Sequence, residues 1–122
     1  PMNSSAASDV YKRQVYFRKG TMAIKNNTKN GQFEYRENDH LAFLTYRERK
    51  KTMYFMLTKV PEELSGKGIA SSLAKEALEY AKSRDFKIAV MCPFVAGYVK
   101  KHPEWYALYD TEYHQQFRNG DL

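Results

Sequence analysis

The chain has 122 residues, 43% of them hydrophobic, enough for one domain with a modest core. Its 20 basic and 14 acidic side chains leave a formal charge of +6, and no apolar stretch reaches the roughly 18 residues that span a bilayer. One cysteine, Cys92, excludes a disulfide within this sequence and fits a reducing, cytoplasmic setting; no metal-ligand spacing is present, and His40, His102 and His114 are scattered.

In chain order, residues 1–14 have no usable periodicity and read as a non-native leader or scar, leaving 15–122 as a single domain. They hold Lys12, Arg13 and Asp9, so the basic balance survives without them. Ala23 to Gly31 is a polar lead-in with room for a short strand. Gln32 to Arg36 alternates as a strand, Glu37 to His40 is a tight turn, and Leu41 to Arg49 is an aromatic-rich second strand. Lys50 and Lys51 turn the chain into Thr52 to Val60. The alternation there puts Met53, Phe55, Leu57 and Lys59 on one face, and Tyr54, Met56, Thr58 and Val60 on the other. Short links between these strands predict an antiparallel meander.

Pro61 stops the strand, and a helix is expected from about Gly68 to Arg84. Its apolar stripe is Ile69, Leu73, Ala77, Tyr80 and Ala81, widened by Ala70, Ala74 and Leu78. Lys87 to Met91 is a buried-type strand. Strand, helix, strand is a crossover, so this strand should lie parallel to Thr52–Val60. Phe94 to His102 reads as a second helix with Val95, Tyr98 and Val99 inward. Trp105, Tyr106, Leu108 and Tyr109 read as a C-terminal cap on the sheet, and the polar residues after about Glu112 as a frayed end.

The most informative stretch is Val60-Pro61-Glu62-Glu63-Leu64-Ser65-Gly66-Lys67-Gly68-Ile69-Ala70, where two glycines one residue apart meet a helix start. Free backbone N–H groups and the positive end of the helix dipole favour an anion there, and glycines admit a bulky diphosphate close to the backbone. Lys67 adds a positive charge. The spacing fits neither a Walker loop nor a dinucleotide fingerprint. A phosphate cradle for a nucleotide-containing cofactor and a plain glycine-rich turn both remain open from these residues alone.

The order of meander, V-P-x-x-L-x-G-K-G-I-A, long helix, buried strand, C-P-F-V-A-G-Y and K-K-H-P-E resembles the GNAT superfamily of acyl-CoA N-acyltransferases, in its small single-domain branch of uncharacterised N-acetyltransferases. The resemblance covers about Phe33 to Tyr109. It implies an α+β (mixed α/β) fold of minimal GNAT form: an antiparallel β-meander, a β-α-β crossover and a second helix. It also implies acetyl-CoA as the acyl donor and an amine, of a protein, peptide or small molecule, as acceptor.

In the superfamily a Q/R-x-x-G-x-G/A loop binds the coenzyme A pyrophosphate, which implies Ser65, Gly66, Lys67, Gly68, Ile69 and Ala70 as cofactor-binding residues. The leading Gln or Arg falls on Glu63, a departure that shifts weight onto Lys67 and backbone amides. Thr58, Lys59 and Val60 are implied to pair with the pantetheine arm, with an N–H near Lys59 or Val60 polarising the thioester carbonyl. The branch's H-T-E-V-P reads Leu57-Thr58-Lys59-Val60-Pro61 here, so its His and Glu side chains are absent.

Two residues are candidates for catalysis. Tyr98 resembles the tyrosine that many GNAT enzymes place near the CoA sulfur as general acid; it is otherwise a packing tyrosine. Cys92 ends the last strand and reads as an acyl-accepting nucleophile, a pocket-lining thiol or a small buried hydrophobe. Lys100, Lys101 and His102 are either a solvated helix end or a seat for the adenosine phosphates.

Usual GNAT members place one or two helices between the first two strands, and here only Glu37 to His40 connect them. The acceptor side should be open and shallow, which implies a protein or peptide acceptor, a pocket completed by a second subunit, or weak catalysis. A CoA-binding module with little catalysis is the alternative reading, for a monomer or a homodimer. Nucleic-acid binding is disfavoured because the positive charge is dispersed.

Overall fold

The structure, a computed structural model, describes residues 23–115. The proposed leader at 1–14 lies outside the described residues, as does the chain beyond Gln115. Five strands form one sheet in sequence order: β1 (Lys25–Asn27), β2 (Gln32–Glu37), β3 (His40–Arg49), β4 (Thr52–Lys59) and β5 (Lys87–Val90). The first four pair antiparallel and β5 joins β4 in parallel, as the crossover requires. α1 (Ile69–Ser83) makes the crossover, and α2 (Pro93–Lys101) follows β5. Short 3-10 turns occupy Glu62–Leu64 and Pro103–Leu108.

Two-residue loops set the meander's register. Asn38 and Asp39 both have positive φ between the paired Glu37 and His40, and Lys50 and Lys51 do the same between Arg49 and Thr52. Positive φ at both central positions matches the right-handed twist of the flanking strands. Asn and Asp tolerate that conformation, and the two lysines adopt it with their charges exposed.

One hydrophobic cluster joins the inner face of the sheet to both helices. Phe33, Leu44, Met53, Phe55 and Ile88 come from the strands, Ile69, Leu73 and Leu78 from α1, and Val95 and Val99 from α2; all are at most 2% exposed. Full burial of each large aliphatic side chain contributes about 1.5–3 kcal/mol. The α1 stripe follows the predicted residues, with Tyr80 half-buried and edge-on to Phe33 at 5.6 Å. Both helices lie on this inner face. The outer face carries Leu41, Phe43 and Thr45, all half-buried, and no helix among the described residues packs on it.

Two expectations are corrected. A β-bulge interrupts the alternation of β4: Tyr46 pairs with Phe55 but Thr45 pairs with Leu57, so Met56 is an extra residue. Leu57 and Lys59 therefore face outward, opposite Thr45 and Phe43, and Leu57 is 51% exposed. Thr58 turns inward, opposite buried Leu44. The second correction is at the C-terminal end. His114 is buried rather than frayed, because its ring packs on Tyr109 and takes a hydrogen bond from β5. The aromatic cap does form, with Tyr109 buried and bridged to Ile88.

Candidate functional site

Strand β4 ends at Pro61 and enters the Glu62–Leu64 turn, anchored by buried Leu64. Ser65 closes the turn, its N–H and its hydroxyl both donating to Glu62 O, at 3.0 and 2.8 Å. The chain then needs two left-handed residues, Gly66 at φ 79° and Gly68 at φ 74°. A non-glycine residue there costs about 1–2 kcal/mol. A Cβ at either position meets nothing within 4 Å, so the protein itself does not fill the space beside them.

Gly68 is the N-cap of α1 and offers no capping side chain, and the first turn holds no acidic residue. The N–H groups of the first turn therefore face outward, and the helix dipole there is not neutralised locally. Glu63, the departure in the motif, is exposed and lies 3.9 Å from His40. Lys67 is held by the β2–β3 turn: its Nζ donates to Glu37 Oε2 at 2.6 Å, while Tyr35 Oη donates to Glu37 Oε1 at 2.7 Å. Those two bonds, Lys67 foremost, hold the Glu37 carboxyl below its ordinary range. The same carboxylate raises the Tyr35 phenol.

The second component is a gap between the parallel strands. Pairing of β4 with β5 ends at Phe55 and Val90, yet β4 runs on through Met56, Leu57, Thr58 and Lys59. Phe55 O accepts from the N–H groups of both Met91 (2.9 Å) and Cys92 (3.0 Å), and Pro93 then starts α2 and carries the chain away. Across the gap, Thr58 Oγ1 lies 3.2 Å from Cys92 Sγ. Cys92 is 2% exposed. Thr58 and Cys92, singled out separately in the sequence, thus meet. Lys59 points outward and Val60 packs against the core.

Tyr98 lies apart from that pair and lines a groove of about 560 Å³ between the two helices, with Ser71, Ser72, Lys75, Phe94 and Lys101. Burial raises its phenol above the ordinary value, with smaller contributions from Glu79 and Glu104, so it stays protonated at neutral pH. Its ring lies 4.3 Å from the ring of His102, which also borders the groove. Ser71 and Ser72, in the first turns of α1, link this groove to the glycine loop. Neither Glu37 nor these two serines stands out from the residues alone, because no spacing or motif marks them. Among the described residues no group of three His, Cys, Asp or Glu side chains is placed to hold a metal ion, and no helix is long and apolar enough to cross a membrane.

A mixed sheet that splits between its two parallel strands, next to a glycine-bearing helix mouth, is the architecture of the N-acyltransferase class of α+β folds. Comparison with known proteins narrows the class. Residues 32–109 match the family model for GCN5-related N-acetyl-transferase, and the chain belongs to that family. It is 33% identical over 86 residues to Protein NATD1 of Xenopus tropicalis, covering 68% of this chain and 79% of that protein. Human Protein NATD1 is 31% identical over 83 residues, covering 66% of this chain and 74% of its own length. The NMR solution structure of a GCN5-like protein from Staphylococcus aureus superposes with a TM-score of 0.58 at 28% identity, over 75% of this chain and 90% of that one.

Proposed function

We propose that this chain is an acetyl-CoA-dependent N-acetyltransferase. The observation that carries the proposal is the open, uncapped mouth of α1 between Gly66 and Ala70. Both glycines leave space that a Cβ would fill, and no acidic side chain neutralises the first turn. That fits a diphosphate resting on backbone N–H groups. In this reading Ser65, Gly66, Lys67, Gly68, Ile69 and Ala70 bind the diphosphate of coenzyme A. Lys75 and Lys101 lie along the adjoining groove beside His102, and the lysines' positive charge suits the adenosine phosphates.

Bound acetyl-CoA supplies an activated thioester. The chain's own residues do the rest. Thr58, Lys59 and Val60, on the part of β4 that extends past β5, offer free-edge backbone for the pantetheine arm. A backbone N–H at the end of β4 polarises the carbonyl. Tyr98, kept protonated by burial, would donate a proton to the departing sulfur, and its phenolate would then take the proton that the newly acylated amine nitrogen releases. Cys92 lines the gap, with the Thr58 hydroxyl holding its thiol. An amine approaches from the outer face, which no helix among the described residues walls.

Binding without efficient transfer is a second reading, favoured by the lack of walling helices among the described residues: residues 28–31 are all that connects β1 and β2, and a two-residue turn connects β2 and β3. Calorimetric titration with acetyl-CoA, run beside thiol release with a panel of protein, peptide and small amines, tests both. Micromolar binding with amine-dependent release supports the enzyme. Binding without release by any amine supports the module, and no binding overturns both.

A further inference from the structure

Among the described residues no sixth strand covers the outer edge of β5; the chain after Tyr109 finishes that edge. Tyr109 bridges Ile88 in parallel register, and Asp110 N donates to Ile88 O at 2.8 Å. The next edge donor, Val90 N–H, is taken by a side chain: His114 Nε2 accepts it at 2.9 Å. An unpaired buried N–H would cost about 1–3 kcal/mol, so the imidazole replaces a strand partner. Its ring stacks on Tyr109 at 4.1 Å and meets Tyr113 edge-on at 4.7 Å.

Val90 is also the last residue of β5 that pairs with β4, and the next two amides both converge on Phe55 O. The hinge of the gap and the His114 contact therefore share one residue. We infer that His114 is a positioning residue for the acyl-transfer cleft: its neutral imidazole holds the end of β5 and so sets where β4 and β5 part. The link to ligand rests on the acetyl-CoA reading above.

Acceptance at Nε2 requires the tautomer protonated at Nδ1. An imidazolium carries N–H on both nitrogens and turns a donor toward Val90 N–H, which breaks the contact. The groups facing the ring include the Tyr109 and Tyr113 rings, the Asp110 carboxylate and the Val90 amide. β4 adds Thr52, whose hydroxyl donates to Asp110 Oδ2 at 2.7 Å, and Tyr54, whose ring meets Tyr113. Burial outweighs the attraction of Asp110 and holds the imidazole below its ordinary pKa, so the accepting form prevails at neutral pH.

The test uses the full chain with His114→Gln and His114→Phe. Glutamine presents an oxygen in place of Nε2 and does not titrate; phenylalanine keeps the stacking and removes the acceptor. The Val90 amide is followed by NMR hydrogen exchange from about pH 8 down through the imidazole's lowered titration, to about pH 4. It loses protection with a single titration in the wild-type chain, keeps it in His114→Gln, and lacks it throughout in His114→Phe. Coenzyme A affinity falls at least about threefold more on acidification in wild type than in His114→Gln, a comparison in which the cofactor's own phosphate titration cancels. Superimposable affinity profiles for those two proteins, or equal Val90 protection in them across the range, overturn the inference even if His114→Phe does not fold. If neither protein binds coenzyme A while Val90 still follows residue 114, the cofactor reading fails, and the cleft role is overturned with it.

Discussion

Thr58 Oγ1 on β4 and Cys92 Sγ beyond β5 lie 3.2 Å apart, across the gap where the two parallel strands stop pairing. The contact exists because the Met56 bulge turns Thr58 inward. Had the alternation run through unbroken, Leu57 would occupy the inner face and the thiol would have no polar partner there. Replacing Thr58 with Val removes the hydroxyl at nearly constant shape. We expect loss of stability of about 0.5–1.5 kcal/mol by thermal unfolding, with turnover falling more than coenzyme A affinity. A drop in affinity alone would place Thr58 with the binding groups and not the reacting ones.

Tyr98→Phe keeps the ring and deletes the proton donor. Turnover should fall about 100-fold, within the range for general acids, while coenzyme A affinity stays within about twofold. Because burial raises the phenol pKa, the wild-type acid function is present through neutral pH and is lost only as pH rises through that elevated value. Steady-state kinetics on both proteins read this directly. An unchanged turnover number assigns Tyr98 to packing.

Lys67 and Glu37 form an exposed pair at the edge of the glycine loop. Lys67→Met should weaken coenzyme A binding by roughly threefold to tenfold at low ionic strength, and by less in salt, since exposed charges are screened. Glu37→Gln should tighten binding a few-fold, because it releases Lys67 and removes a negative charge near the diphosphate. Weaker binding by Glu37→Gln would mean that the carboxylate positions the lysine instead of competing for it. Titration calorimetry at two salt concentrations checks both signs.

Asp110 ties the C-terminal segment to β4 through Thr52, and that hydrogen bond is the main cause of its lowered pKa. A carboxyl depressed in the folded state contributes stability above its unfolded pKa and loses it as pH falls through the folded one. Thr52→Val should therefore cost about 1–2 kcal/mol at neutral pH, and the gap between variant and wild type should narrow in acid, below the ordinary aspartate range. Thermal unfolding followed across pH measures the gap. A difference that stays constant into strong acid would show the loss to be packing alone.

Much of the fold was legible because it rests on local signals. Alternation marked β2 to β4, the two short polar turns fixed the meander, and the stripe from Ile69 to Ala81 marked α1 to within a residue at each end. The glycine loop was legible because Gly66 and Gly68 punctuate the helix start. The bulge was not, since Met53-Tyr54-Phe55-Met56-Leu57 is apolar throughout and no polar residue marks the slip. His114 was missed because its partner is 24 residues away and its neighbours are polar. Likewise Glu37 meets Lys67 across 30 residues and Thr58 meets Cys92 across 34, distances at which periodicity carries no information.

The most direct measurement is coenzyme A titration of Gly68→Asn. Asparagine tolerates the left-handed backbone at this position, and its side chain enters space that the protein leaves open, so the chain remains folded while the helix mouth is filled. The account predicts that affinity falls at least about tenfold, or about 1.4 kcal/mol, in a variant that stays folded with an unfolding temperature about 4–8 °C lower per kcal/mol of backbone strain. Unaltered affinity in the folded variant would contradict the mouth of α1 as the seat of the cofactor's diphosphate.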